Sequence, residues 1–173
     1  MNSSAQSKPS ECAHEWFEQV CGTWAGVCRT WFEPDQLADE SPFEGRFGKS
    51  IGGNFLRHQY SGEIQNSPRV GEELFVFNPV GETIDVSWAD SFHMSSSIML
   101  SRGKLTGNTL DMTGQYMVGV DIPDWGWRTV YDLTSSDELV ITAFNISPEG
   151  ESAKALETKC RRLDDTPTAE AST

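Results

Sequence analysis

The sequence predicts an all-β protein: a single up-and-down antiparallel barrel of about ten strands, with a short helix at its N-terminus. Two observations favour this fold class. Apolar residues alternate with a period of two along short stretches that are separated, at near-even spacing, by turn-forming residues. The composition includes six Trp, nine Phe, fifteen Gly and eight Pro, which is typical of sheets with many turns rather than of helix bundles.

The first predicted element is a helix over about residues 10–20. Ser10 is a suitable N-cap, and Gly22 ends the helix. One apolar stripe at positions i, i+3, i+4 and i+7 runs along it: Ala13, Trp16, Phe17 and Val20. Because so short a helix is marginal alone, we expect it to dock on the barrel through this stripe.

From Gly22 onward the pattern changes to short strands without intervening helices. Ten stretches are predicted, at 23–32, 43–49, 55–63, 72–77, 83–91, 96–102, 109–117, 127–134, 138–146 and 153–162. Such a meander removes its open edges most completely by closing into a barrel, with the first strand beside the last. A sandwich of two sheets is the alternative.

The chain of 173 residues has the length of one domain. We expect the barrel domain to span residues 10–163. Residues 1–9 and 164–173 are rich in Ser, Thr, Ala, Pro and acidic residues, and we expect them to be disordered tails. No stretch between them is long enough to separate two domains.

Charge and hydropathy exclude several classes of partner. The net charge of −13 argues against nucleic acid, because a phosphate backbone must be met by clustered Lys and Arg. No apolar run approaches the roughly 20 residues of a membrane span. The N-terminus lacks the apolar core of a secretory signal, so we expect a cytoplasmic protein whose four cysteines are reduced thiols. Their spacing matches no common zinc pattern, and we expect no metal site.

Alternation in the fifth strand places Trp88 and Asp90 on the inward face. A buried acid needs a partner, and His93 lies close enough in sequence to reach Asp90. A carboxylate that orients an imidazole is common in catalytic and metal sites. The alternative is that Asp90 holds the loop after its strand, with His93 exposed.

Further inward positions extend this cluster. His58 and Tyr60 share the inward face of the third strand, and Arg128 is expected to pair with an inward acid. Apolar walls with a few convergent polar groups are typical of ligand sites. The candidate ligand-binding residues are Trp88, His58, Tyr60, Asp90, His93, Met99 and Arg128. In the last strand, Arg161 or Arg162 is expected to stack on Trp24 where the barrel closes.

Several motifs resemble known families. The segment Cys21-Gly22-Thr23-Trp24-Ala25-Gly26 resembles the Gly-x-Trp opening of lipocalins and other calycins. Over about residues 14–162, the chain resembles the bacterial family catalogued as domain of unknown function 1579. The order and spacing of these motifs carry that resemblance: Gly22-Thr23-Trp24, Arg29-Thr30-Trp31-Phe32-Glu33-Pro34, Gly52-Gly53-Asn54-Phe55-Leu56, His58-x-Tyr60-x-Gly62, Trp88-Ala89-Asp90-Ser91, Ile98-Met99 and Arg128-Thr129-Val130-Tyr131.

The resemblance implies a fold but no activity. It implies a lipocalin-like barrel with a central cavity, and with a Trp at the closed end covered by an Arg of the last strand. Haem-binding barrels of the nitrobindin type are similar in architecture and use an axial His on a late strand. No His follows His93 in this chain, so we expect no haem ligation of that kind and no cofactor.

Two functions are consistent with the sequence. The favoured hypothesis is a barrel that binds a small, mostly apolar molecule in its central cavity. The alternative is an isomerase, cyclase or hydrolase that uses Asp90, His93, His58 and Tyr60 for proton transfer. A homodimer that uses Trp31, Trp125 and Trp127 as exposed aromatics is compatible with either function.

Overall fold

One helix and ten antiparallel strands make up residues 8–163, the part of the chain that the computed structural model describes. Of the tails predicted at 1–9 and 164–173, residues 1–7 and 164–173 lie outside the described residues. The elements are α1 Pro9–Val20, β1 Gly22–Glu33, β2 Gln36–Ser50, β3 Phe55–Ile64, β4 Ser67–Asn78, β5 Thr83–Asp90, β6 Met99–Thr106, β7 Thr109–Tyr116, β8 Trp125–Ser135, β9 Glu138–Ile146 and β10 Ser152–Arg162, with a short 3-10 turn Ile51–Gly53 before β3.

The strands form one closed barrel. Each strand pairs with its neighbours in sequence, and β1 pairs with β10 from Trp24 opposite Arg162 to Thr30 opposite Leu156. The predicted up-and-down barrel is therefore confirmed, and the sandwich alternative is wrong. Because the chain runs up and down, α1 and the β2–β3 connection lie at one end of the barrel. The β1–β2, β3–β4, β5–β6 and β7–β8 connections lie at the other, which we call the open end.

Two strands, β2 and β4, begin five or more residues earlier than predicted. β4 begins at Ser67 rather than at residue 72, because Gln65 and Asn66 complete the turn with positive φ angles of 51° and 63°. Residues 67–71, which lie outside the predicted strands, therefore already pair with β3. β2 begins at Gln36 rather than at residue 43, and its first residues are mostly exposed, so they lack the alternation that the prediction used.

The N-terminal helix closes the end of the barrel opposite the open end. It begins at Pro9, and Glu11 accepts the backbone N–H of Lys8 at 3.2 Å, so Ser10 is not the N-cap. Its apolar stripe is buried, as predicted. The Trp16 indole N–H donates to the carbonyl of Asn108 at 3.1 Å. No helix in the described residues is long and apolar enough to cross a membrane.

Arg162 fastens this end, which confirms the predicted arginine–tryptophan stack. Its guanidinium lies 4.2 Å from the ring centroid of Trp24. It also donates to the carbonyls of Gln19, Cys21 and Ser136 at 2.5, 2.6 and 2.8 Å. One side chain thus joins the helix, the first strand, the last strand and the β8–β9 turn.

We expect Arg162→Met to lower the free energy of unfolding by about 2–3 kcal/mol, since it removes charge-assisted hydrogen bonds and a cation–π contact but keeps an apolar stem. Urea unfolding measures this. The matched control is Arg161→Met: Arg161 is the preceding residue, 80 % exposed in an ion pair with Glu138, and its loss should cost less than about 1 kcal/mol. An equal decrease in the free energy of unfolding in the two variants would contradict this role of Arg162.

Candidate functional site

Strand β4 brings the predicted site residues of β3 and β5 together. Gly71 of β4 lies between Tyr60 and Asp90 in the register of the sheet. A Cβ on Gly71 would lie 2.2 Å from the Tyr60 hydroxyl, so the missing side chain leaves room for the ring. The Tyr60 ring can therefore cross β4 and reach Asp90. One layer deeper, Glu73 lies in the same way between His58 and Trp88.

Asp90 accepts hydrogen bonds from every side. Its Oδ2 atom accepts the Tyr60 hydroxyl at 3.1 Å and Nε of Arg69 at 2.9 Å, and it lies 3.3 Å from Nδ1 of His93. Its Oδ1 atom accepts the backbone N–H groups of residues 92–94 at 2.5–3.2 Å. The predicted contact between Asp90 and His93 is present, and the carboxylate also holds the loop that follows β5.

Asp90 and Arg69, which form the group nearer the open end, keep each other ionised. Burial alone would raise the pKa of Asp90, but the hydrogen bond from His93 and the charge of Arg69 outweigh burial and hold that pKa well below its usual range. Burial alone would lower the pKa of Arg69, but Tyr60 and Asp90 raise it above its usual value. A carboxylate with so low a pKa is a weak proton acceptor near neutral pH. These contacts make Asp90 an anchor for the loop.

A second group, one layer deeper in the barrel, consists of His58, Glu73 and Tyr131. Nδ1 of His58 lies 2.7 Å from Oε2 of Glu73, and the Tyr131 hydroxyl donates to the same oxygen. His58 is 1 % exposed and Glu73 is 6 % exposed. Burial, followed by the charge of Glu73, raises the pKa of Tyr131 well above its usual value, so the hydroxyl keeps its proton.

The imidazole of His58 is fixed in orientation and has one free nitrogen. Its ring stacks on Phe47 with centroids 3.8 Å apart and planes within 4°. Nε2 is buried and has no hydrogen-bond partner among the described residues. A Cβ on Gly45 would lie 2.7 Å from Nε2 and 3.1 Å from the Phe43 ring, so the space beside Nε2 exists because residue 45 is glycine. A buried, unsatisfied polar atom costs about 1–3 kcal/mol.

A cavity of about 40 Å³ lies inside the barrel beside these groups. His58, Glu73 and Tyr131 line it together with Tyr60, Arg69, Thr129 and Thr158. Its apolar walls are Phe43, Trp88, Trp127, Ile141, Ala143 and Leu156. The volume has room for about one to three water molecules, far below the roughly 300 Å³ at which small-molecule pockets begin. The interior is therefore nearly filled.

Two tryptophans and His93 cover the cavity toward the open end. The rings of Trp88 and Trp127 stack with centroids 5.5 Å apart, and His93 packs against both. Trp88 also donates its indole N–H to the Tyr60 hydroxyl at 2.7 Å. The Trp127 side chain makes no hydrogen bond among residues 8–163, so packing alone holds it. We call Trp127 the lid.

The structure brings most of the predicted site residues together. His58, Tyr60 and Trp88 line the cavity. Asp90 and His93 lie above it, and Met99 is buried opposite Trp88 in the register. Placing Arg128 inside was wrong: it lies on the outer face, where the carboxylate of Asp111 of β7 binds it at 2.6 and 2.8 Å.

The expectation that Trp127 is an exposed aromatic was also wrong. It is 7 % exposed because β8 begins at Trp125 and its alternation turns Trp127 inward, onto Trp88. Trp31 and Trp125 are half-buried on the barrel rim. A dimer interface on these two residues stays a prediction.

Sequence reasoning missed Arg69, Glu73 and Tyr131. Because the fourth strand was predicted to begin at residue 72, Arg69 fell outside the predicted strands. The signal was present: Arg69, Gly71, Glu73 and Phe75 alternate on one face, as β4 requires. Tyr131 lies two residues after Thr129 on the inward face of β8, and only its contact with Glu73 shows its role.

The described residues contain no group of three or more His, Cys, Asp or Glu side chains placed to hold a metal ion. His14, two residues after Cys12, is exposed, and its Nδ1 atom lies 2.7 Å from the carbonyl oxygen of Ser10. All four cysteines are free, and burial, with a smaller effect of Cys28, raises the pKa of the Cys160 thiol to about 12. The Cys160 thiol is therefore a poor nucleophile.

Comparison with known proteins supports the fold. The family model described as "Protein of unknown function (DUF1579)" matches residues 9–162. The S-type phycobiliprotein lyase CPES of Guillardia theta superposes with a TM-score of 0.60 at 12 % identity, covering 91 % of this chain and 96 % of that chain. Rv2717c of M. tuberculosis gives a TM-score of 0.62 at 14 % identity, covering 91 % and 99 %. No curated protein matches the sequence.

Proposed function

The chain belongs to the DUF1579 family, and on that premise we propose that its barrel binds one small, mostly apolar molecule in the interior, with the polar end of that molecule at His58. His58, Tyr60 and Trp88 contact the ligand. Asp90 and His93 act indirectly, by holding the loop and the rings above it. The binding partner is a small molecule rather than a macromolecule.

The observation that carries this proposal is the free Nε2 atom of His58. The imidazole is 1 % exposed, lines the cavity and has one nitrogen with no partner in the described chain. Buried polar atoms are normally hydrogen-bonded, and each exception calls for an explanation. A ligand with one polar group satisfies this atom while its apolar part lies against Phe43, Ile141 and Leu156.

The small volume sets a condition on binding. A molecule larger than a few heavy atoms does not fit in about 40 Å³, so at least one ring must move. Trp127 makes no hydrogen bond among the described residues, whereas Trp88 is held by its hydrogen bond to Tyr60, so we take Trp127 as the ring that moves. The barrel as described is the closed form, and the affinity for a ligand is reduced by the fraction of molecules whose lid is open.

We expect Trp127→Ala to open the interior to benzene-sized probes. The variant removes the lid, so α-methylstyrene and acetophenone should bind at least about tenfold more tightly than to the unaltered protein. Methyl-resolved NMR measures this, because bound probe should shift the interior methyl groups of Ala143, Ile141 and Leu156. The exposed methyl groups of Leu100 and Val80 should not move.

The control for this variant is Trp31→Ala, which removes a half-buried indole from the outer rim and leaves the cavity closed. It should bind the probes no better than the unaltered protein. If Trp127→Ala does not fold, Trp127→Leu keeps apolar bulk at the position while freeing part of the volume. Probes that leave the interior methyl groups of both folded lid variants unshifted would exclude an interior binding site.

The second candidate is an isomerase, cyclase or hydrolase that transfers protons inside the barrel. The arrangement of Glu73 and His58 favours it, because a carboxylate that holds Nδ1 leaves Nε2 poised toward a substrate. One solved barrel of this fold is named a lyase, so the fold accommodates catalysis. The test is mass analysis of ligand recovered from protein purified from its own host: a recovered molecule that is unchanged after incubation favours binding, and conversion to a product favours the enzyme.

A further inference from the structure

The chemistry of the ligand depends on which nitrogen of His58 carries hydrogen. If Nε2 carries none, it accepts, and the ligand must offer an O–H or N–H group. If Nε2 carries a hydrogen, it donates, and the ligand must offer an oxygen or nitrogen with a free lone pair. The charges and hydrogen bonds around the imidazole decide between these two cases.

The charged and titratable groups around His58 are few. From β4 they are Glu73 and Arg69, from β3 Tyr60, from β5 Asp90, and from β8 Tyr131. β2 contributes only the Phe43 and Phe47 rings to its surroundings. Arg69 and Asp90 form an ion pair at 2.9 Å, with side-chain exposures of 7 % and 0 %, and their charges cancel. The charge of the interior therefore depends on the pair His58–Glu73.

A Glu73 carboxylate facing a neutral imidazole accepts two hydrogen bonds on Oε2 but leaves one net negative charge in this interior. Because burying a net charge costs several kcal/mol, we expect the favoured states of the pair to carry no net charge. One such state is an imidazolium facing a carboxylate, with hydrogen on both ring nitrogens. The other is a neutral carboxylic acid that donates to Nδ1, with the ring hydrogen on Nε2. In both states Nε2 carries a hydrogen.

A third neutral arrangement places the acid proton on Oε1 of Glu73 and a hydrogen on Nδ1 of His58. Both hydrogen bonds of the Glu73 carboxyl end on Oε2. A proton on Oε1 would therefore leave a carboxyl O–H without an acceptor in the described chain, in addition to the free Nε2. In the other two arrangements Oε1 carries no hydrogen and is an unpartnered acceptor, which costs less than an unpartnered O–H donor, so the third arrangement is disfavoured.

We infer that the polar group of the interior ligand is a hydrogen-bond acceptor, the carbonyl oxygen of a ketone, aldehyde, ester or amide, which receives the N–H at Nε2 of His58. This inference rests on the proposed function and narrows it to a ligand class. A neutral carbonyl fits better than a carboxylate, because it satisfies Nε2–H without adding charge to a balanced interior. The stack on Phe47 fixes the ring plane and thereby the direction of the bond.

Two matched probes test the inference on the full chain carrying Trp127→Ala, or Trp127→Leu if the former does not fold. Acetophenone and α-methylstyrene have the same shape and differ by an oxygen in place of a methylene group. Indole, which has an N–H donor and no comparable acceptor, is the third probe. We expect acetophenone to bind about tenfold more tightly than α-methylstyrene, and indole to bind more weakly than acetophenone.

The outcomes separate this inference from the proposed function. Equal binding of acetophenone and α-methylstyrene, or tighter binding of indole, overturns the carbonyl inference and leaves an interior binding site in place. Interior methyl groups that respond to none of the three probes overturn both.

A second measurement needs no ligand. Long-range ¹H–¹⁵N spectra of the unaltered protein report which ring nitrogens carry hydrogen. The chain has three histidines, so assigning His14 and His93 with His14→Gln and His93→Gln leaves His58. We expect a protonated Nε2, and a bare Nε2 beside a protonated Nδ1 overturns the inference.

Discussion

Asp90→Asn is expected to lower the free energy of unfolding by about 3–5 kcal/mol, the range for removing one partner of a buried ion pair. The side chain of Asp90 is fully buried, and its charge faces the Arg69 guanidinium at 2.9 Å. The amide that replaces it is neutral, so Arg69 stays buried and uncompensated. Thermal unfolding should show a decrease of roughly 6–20 °C in Tm for a domain of this size.

The same variant predicts a pH dependence. The pKa of Asp90 is held below its usual value in the folded state, so the carboxylate stabilises the fold fully above the unfolded-state pKa of about 4. This contribution is lost as the pH falls from there through the folded-state pKa. Urea titrations from pH 7 to pH 3 should show a steeper loss of stability below about pH 4 for the unaltered protein than for Asp90→Asn.

Asp85→Asn is the matched control. Asp85 lies on the outer face of the same strand, 29 % exposed, and pairs with Arg102 at 2.7 Å. An exposed pair contributes about 1 kcal/mol or less. If Asp90→Asn is no more destabilising than Asp85→Asn, then Asp90 does not anchor the loop, and the order of the rings above the cavity has another cause.

Trp16→Ala is also expected to lower the free energy of unfolding by about 3–5 kcal/mol, the range for truncating a buried aromatic side chain. Trp16 is 1 % exposed, and its ring centroid lies 6.3 Å from that of Tyr131 and 6.5 Å from that of Phe75. The variant removes this packing and the hydrogen bond to Asn108. Chemical unfolding followed by circular dichroism measures the cost.

This prediction links the helix to the site. Tyr131 packs on Trp16 and donates its hydroxyl hydrogen bond to Glu73, which also contacts His58. Loss of the Trp16 side chain should therefore make this end of the barrel more mobile and broaden the NMR signals of His58. Glu15→Ala, an exposed change on the same helix, should leave stability within about 0.5 kcal/mol and those signals unchanged. A Trp16→Ala protein with unaltered stability would show that packing of the helix does not contribute to the core.

The barrel could be predicted from the sequence because strands and turns are indicated by residues that are close together along the chain. Alternation over ten short stretches and the turn residues between them define the strands, and the pairing of Trp24 with an Arg of β10 follows from closure. The direction of Trp88, Asp90, His58 and Tyr60 also follows from alternation, and all four are buried. These features need only the period of the strand.

The partners of those residues could not be predicted, because they depend on contacts between distant strands. Glu73 meets His58 through the β3–β4 register, and Tyr131 reaches Glu73 from β8, across the barrel. Arg128 shows the converse. Alternation groups Arg128 with the other residues of one face of β8. Only the pairing of β7 with β8 shows that this is the outer face, where the Asp111 carboxylate binds the guanidinium. The nearly filled cavity is a further property of packing that no sequence pattern records.

The most direct test of an interior ligand site at His58 is a crystal structure of Trp127→Ala grown with acetophenone. The account predicts the phenyl ring in the space of the missing indole and the cavity beneath it, against Trp88 and Ile141. It also predicts the ketone oxygen within about 3.2 Å of Nε2 of His58. A probe bound only on the outer surface, or an interior refilled by the collapse of Trp88 toward His58, would contradict it.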